Sequence, residues 1–125
     1  MEYTNKGIEK LKKFLVEVPE RLGISDEEIA EVLGCDREEY KRIMELESWP
    51  VERCERGYLF LGIDIKLGTL FGEGRSENYL KEERKFIRVK NLKLGNRSLL
   101  EMLMDGTHES LMRVNDYVLD IRGLY

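Results

Sequence analysis

The sequence predicts an all-α chain built as two small helical units. Apolar residues recur at helical spacing through most of its length. A capping residue precedes a glutamate by three positions at Ser25/Glu28, Asp36/Glu39 and Ser98/Glu101, and each pair marks a helix start. Glycines fall just past the ends of the apolar stripes, where a left-handed residue closes a helix.

Ile8, Leu11, Phe14, Leu15, Val18 and Leu22 trace the inner face of a first helix that stops at Gly23. Ser25 then opens a second helix carrying Ile29, Ala30 and Leu33, closed by Gly34. Asp36 opens a third with Tyr40, Ile43, Met44 and Leu46 inward, and Pro50 is expected to end it. Residues 51–72 read two ways. Leu59, Leu61, Ile63, Ile65 and Leu67 alternate as in a strand, while Val51, Cys54, Tyr58, Leu61 and Ile65 trace a helical face behind Pro50. The glycine-containing run Phe71–Ser76 is a loop and a hinge. Beyond it Tyr79, Leu80, Phe86, Ile87 and Val89 suggest a helix that fades near Asn91. Leu94–Arg97 is a turn, and Ser98 caps a short apolar helix through Met104. Asp105-Gly106 ends that helix, and Thr107 caps the last one, whose stripe is Leu111, Val114, Val118 and Ile121. The hinge divides the chain into residues 1–72 and 73–125.

The second and third helices, joined at Gly34, have the spacing of a helix-turn-helix unit. Its recognition helix would offer Arg37, Lys41 and Arg42 to DNA, against Asp36, Glu38, Glu39, Glu45 and Glu47. So acidic a surface makes few phosphate contacts. A structural role for the unit is therefore placed ahead of base reading.

Composition narrows the function further. The 125 residues carry a net charge of −4, which argues against general nucleic-acid binding. The charge is uneven: residues 81–97 hold seven basic and two acidic side chains, a local +5 suited to an acidic partner. Met1–Lys6 lack the apolar core of a signal peptide, no apolar run is long enough for a membrane span, and two isolated cysteines suit a reducing cytoplasm. Catalysis is not expected. His108 is the lone histidine, no nucleophile is arranged beside it, and no phosphate-binding glycine motif is present. Neither a metal nor a cofactor is predicted.

Taken in order, Phe86-Ile87, Lys90-Asn91, Leu94-Gly95, Ser98-Leu99, Leu100–Leu103, Gly106 and the closing Gly123 and Tyr125 resemble the C-terminal domain of the Xre/MbcA/ParS antitoxin family. That domain has Trp-Leu where Phe86-Ile87 stand, Pro-Asn at Lys90-Asn91, and proline at Leu99. The resemblance extends to the front half, since family members carry a helix-turn-helix unit before a long connecting helix, and this tips residues 51–72 toward helix. It implies the antitoxin of a type II toxin–antitoxin system, a self-associating protein whose partner is a RES-domain toxin that degrades NAD. In some members the N-terminal unit also binds the operon's own promoter. The chain's end is implied to block the toxin's NAD pocket, a role that falls to Arg122, Gly123, Leu124 and Tyr125. Gly123 permits close approach, and Tyr125 is a stiff anchor of the kind that dominates interfaces. Arg97, from the basic belt, joins them as a partner-binding residue. The competing expectation is a freestanding helix-turn-helix transcription regulator that uses residues 76–125 for dimerisation or effector binding.

Overall fold

A computed structural model describes residues 2–3, 5–71, 77–105 and 107–123. The chain is mostly helical, as expected. Seven helices, α1 (Asn5–Leu22), α2 (Asp26–Val32), α3 (Arg37–Ile43), α4 (Val51–Phe71), α5 (Glu77–Phe86), α6 (Leu99–Met104) and α7 (His108–Gly123), are joined by short turns among the described residues. Four two-residue strands form two antiparallel pairs, β1 (Glu2–Tyr3) with β2 (Trp49–Pro50) and β3 (Lys90–Asn91) with β4 (Arg97–Ser98).

Local chemistry explains the boundaries. Gly23 and Gly34 sit at φ +70 and +81 and close α1 and α2 in the left-handed region that side chains resist. The Ser25 hydroxyl accepts from the Glu28 N–H at 3.1 Å, and the Glu28 carboxylate accepts from the Ser25 N–H at 2.9 Å. That reciprocal pair satisfies two donors that the start of α2 would otherwise leave open. Asp36 accepts from the Glu39 N–H at 2.8 Å to start α3. Arg53, reaching across from α4, donates to the Leu33 carbonyl and pairs with Glu39, which locks the turn between α2 and α3.

Residues 51–71 are helix throughout, which settles the open reading. The buried set Cys54, Gly57, Phe60, Ile63, Asp64 and Leu67 follows the three-and-four spacing of one helical face. Asp64 breaks the apolar run from within, and its carboxylate accepts from the Arg21 guanidinium of α1 at 2.6 Å. Helix α4 is the spine of the molecule. On one side α1 crosses it; on another α7 runs parallel to it, with Arg56 beside Met104 and Asp105, Lys66 bonded to Asn115, and Leu70 beside Ile121. The connection through α5 and the β3–β4 hairpin provides the crossover that a parallel pair requires. Buried residues from both segments, from Ile8 to Val118, form one continuous core.

Several sequence expectations need correction. The face of α4 traced through Val51, Cys54, Tyr58, Leu61 and Ile65 is not the buried one, since of these only Cys54 is fully buried and Ile65 is exposed, and Tyr79 of the next stripe is exposed as well. Helix α3 stops at Ile43, with Met44 as its cap, and Leu46 lies outside it at 44% exposure, so it does not point inward. Helix α5 stops at Phe86 and does not fade towards Asn91, which leaves Val89 on the surface at 61% exposure.

Two glycines inside α4 make opposite predictions. A Cβ on Gly57 would meet both Leu11 methyl carbons at 2.9 Å, where α1 crosses, and Leu11 is itself fully buried and cannot yield. Overpacking costs about 1–3 kcal/mol, more than the roughly 1 kcal/mol of helix propensity gained. Gly57→Ala is therefore expected to destabilise. A Cβ on Gly62 would meet nothing within 4 Å. There Gly62→Ala should stabilise by about 0.5–1 kcal/mol. Urea unfolding of the two variants checks both signs.

Tyr40 supplies a pH signature for the α2–α3 unit. Burial, assisted by the Asp26 carboxylate and then by Cys35, pushes its phenol from 10.0 up to about 12. The folded state thus holds this proton more tightly than the unfolded chain does. The resulting stability is fully present below pH 10 and is lost as pH rises from there through about 12. The loss is on the order of 2–3 kcal/mol. Denaturant midpoints measured across that range should fall steeply in the natural chain and less steeply in Tyr40→Phe.

Candidate partner-binding surface

The C-terminal unit is assembled from caps. Gly95 and Asn96, at φ +73 and +61, turn the chain back between β3 and β4. The Asn91 side chain accepts from the Lys93 N–H at 2.8 Å and opens a single 3-10 turn over Leu92–Leu94. Ser98 and Glu101 form the second reciprocal capping pair, at 3.0 and 3.1 Å, and start α6. The Leu100 N–H donates to the Ile87 carbonyl at 2.8 Å and ties α6 to the end of α5. Thr107 accepts from the Ser110 N–H at 3.1 Å and caps α7.

Asp105 holds the α6–α7 junction. Its carboxylate accepts from the Ser110 hydroxyl and, at 3.4 Å, from Thr107, and it lies 3.8 Å from the Arg97 guanidinium. The Ser110 hydrogen bond first, and the Arg97 charge after it, hold the Asp105 carboxyl below its ordinary value. Arg97 also donates to the Glu101 carbonyl at 3.2 Å. It therefore braces the turn, although its side chain keeps one exposed edge.

The hairpin lies along the second half of α7. The Asn91 amide donates to the Tyr117 hydroxyl, and Lys93 and Leu94 line a groove with Arg113, Asp116, Tyr117 and Asp120. Phe86, Val89, Asn91, Leu94, Leu99 and Tyr117 surround a small hollow of about 170 Å³. Phe86 also borders a second hollow of about 390 Å³, with Thr69, Leu70, Phe71 and Ile121, at the last described turns of α7. Its ring meets that of Phe71 edge to face, centroids 5.4 Å apart. On the same hairpin Leu92 stands 86% exposed, and Val89, just before β3, 61%. Side chains this apolar and this open gain by being covered.

The predicted residues fall in three places. Arg97 sits at the α6–α7 turn, before α7 begins, whereas Gly123 ends that helix. A helix of 16 residues is about 22 Å long from first residue to last, so Arg97 and Gly123 lie at opposite ends of α7. Arg122 lies in the last turn of α7, and Leu124 and Tyr125 lie outside the described residues. Arg37, Lys41 and Arg42 all lie on α3. Lys41 and Arg42 are exposed, and Arg37 is 3.7 Å from Glu27 of α2. The basic belt divides as well. Arg84 donates to the Arg21 carbonyl at 2.7 Å, and Arg88 donates to the Leu22 and Gly23 carbonyls at 3.1 and 2.6 Å. Those two guanidinium groups satisfy the open carbonyl end of α1, where a cation is favoured.

Sequence reasoning passed over Leu92 and Tyr117, and placed in the loop Phe71, which instead ends α4. A leucine between Asn91 and Lys93, in a turn rather than a stripe, was the one signal for the first. The other two become visible only once α4 and α7 lie side by side. Among the described residues no group of three His, Cys, Asp or Glu is placed to hold a metal ion, and no helix is long and apolar enough to cross a membrane. Comparison of the sequence with models of known protein families and with curated proteins gave no match.

Proposed function

We propose that this chain is an antitoxin that works by binding, without catalysis of its own, and that its C-terminal unit covers an NAD-degrading toxin of the RES type. The observation that carries the reading is the apolar surface on residues 86–121. Leu92 stands exposed on the β3–β4 hairpin, and Phe86 stands between two hollows beside the second half of α7. Of these, Phe86 is one of the residues that resemble the family's toxin-binding domain, and Leu92 lies between two of its matched pairs. An exposed apolar cluster on a small domain is characteristic of a protein interface. Cys35 and Cys54 are both reduced thiols, in keeping with action in the cytoplasm.

The regulator reading draws less support. Helix α3 exposes Glu38 beside Lys41 and Arg42. Tight operator binding needs several unopposed cations.

The test uses the full chain and a chain lacking Arg122–Tyr125 as baits in extract of the native host. The full chain is expected to retain a protein whose NAD consumption is suppressed in the complex, and the shortened chain is expected to leave that activity unsuppressed. Equal suppression by both chains would remove the tip from the mechanism. Retention of a promoter fragment and of no NAD-consuming protein would replace the antitoxin reading with the regulator.

A further inference from the structure

A second surface, which does not depend on the antitoxin reading, lies where α5 crosses the end of α1. Leu22, Gly23, Lys81, Arg84, Lys85, Arg88 and Val89 line an open concavity of about 570 Å³. Four of these side chains are cations, and no carboxylate is among the lining residues. Arg84 and Arg88 are fixed in place by their bonds to the carbonyls of residues 21–23, so half of the rim is preorganised. Lys81 and Lys85 are exposed, and Lys85 pairs with the exposed Glu82, at 3.9 Å. Such a pair is worth little and exchanges readily. Val89, more than half exposed, supplies an apolar floor with Leu22.

The complementary feature follows α3. Glu45, Leu46 and Glu47 are all exposed, which sets an uncovered leucine between two carboxylates. We propose that a second copy of this chain docks its Glu45–Glu47 segment into the concavity. Leu46 lies against Leu22 and Val89, and the two glutamates face the basic rim. Charge selects this occupant. The chain is acidic overall, residues 1–75 carry a net −5, and residues 81–97 carry +5, so one copy offers what another accepts. A nucleic acid would use the cations and leave the apolar floor without a partner. The two patches differ, so the contact is head to tail. A pair keeps one loop and one concavity open, and further copies can add until a ring closes.

Sedimentation of the full chain across a wide concentration range tests the proposal. Association is expected to increase with concentration and to weaken at high salt, because the rim is solvent-exposed. Lys81→Glu with Lys85→Glu, Glu45→Lys with Glu47→Lys, and Leu46→Asp should each weaken it on the order of tenfold or more while leaving the helical circular dichroism unchanged. Mixing the two charge-reversed chains should restore association, since the acidic loop of one then meets the intact concavity of the other. A chain that stays monomeric throughout would overturn the proposal, as would association indifferent to these substitutions or a mixture that fails to associate. Binding of a DNA duplex that disappears with Lys81→Glu and Lys85→Glu, in a chain that does not self-associate, would assign the concavity to nucleic acid instead.

Discussion

Trp49→Ala is expected to cost about 3–5 kcal/mol, the range for emptying a large aromatic site in a packed core. That is a large share of the roughly 5–15 kcal/mol that holds a domain of this size together. Trp49 is the sole tryptophan of the chain and is fully buried, yet it lies in no helix. Its backbone pairs with Tyr3 in the β1–β2 bridge, and its carbonyl lies 4.0 Å from the Cys54 thiol at the first turn of α4. The residue therefore ties the chain's first residues to the start of the central helix. Its indole N–H has no hydrogen-bond partner among the described residues. A buried donor left open is a cost that the natural side chain carries. Trp49→Phe should accordingly lose much less stability than Trp49→Ala, because it keeps most of the packing and removes the open donor. Guanidinium unfolding of the two variants, followed by circular dichroism, measures the difference. Equal losses would mean that the site requires the whole indole, its N–H included, and that the N–H is not an open cost.

Trp49 also shows where the sequence ceases to be informative. Helix starts were legible because a cap is a local device: Ser25 with Glu28 and Ser98 with Glu101 close on each other within one turn. Stops at Gly23 and Gly34 were legible for the same reason. Two-residue strands have no period to read, so the Tyr3–Trp49 bridge left no trace in the pattern, and of the 90–98 hairpin only its turn did. Residues 51–71 were ambiguous for a different reason. Helix α4 is covered by α1 on one side and α7 on another, and a helix with several apolar faces mimics the continuous run of a buried strand. Leu46 and Val89 were misread because each extends a true stripe by about one turn past the point where its helix ends. On the candidate surface, the turn at residues 94–97 and the cap at Ser98 were legible in the sequence. The exposure of Leu92 was not, since exposure is a property of what fails to pack against a residue.

Leu92→Asp is expected to leave the fold intact and to abolish most partner binding. Leu92 sits on a single 3-10 turn held by Asn91 at its start and Gly95 at its end, and neither contact uses the leucine side chain. At 86% exposure it has little packing to lose, so the change in stability should stay within about 0.5 kcal/mol. Binding is another matter. An apolar anchor at the centre of an interface is worth about 2 kcal/mol or more, and a carboxylate in its place must also be desolvated. The expected loss in affinity for the proposed NAD-degrading partner is therefore at least about thirtyfold. Arg97→Ala makes the contrast. Arg97 braces the Asp105 turn at the opposite end of α7, so its loss should loosen that turn and reach the partner only weakly. Titration calorimetry of the three chains against the captured partner separates the alternatives. A large loss with Leu92→Asp alone places the interface on the hairpin and the second half of α7. A larger loss with Arg97→Ala would move it to the α6–α7 junction, and the exposure of Leu92 would then serve something other than this partner.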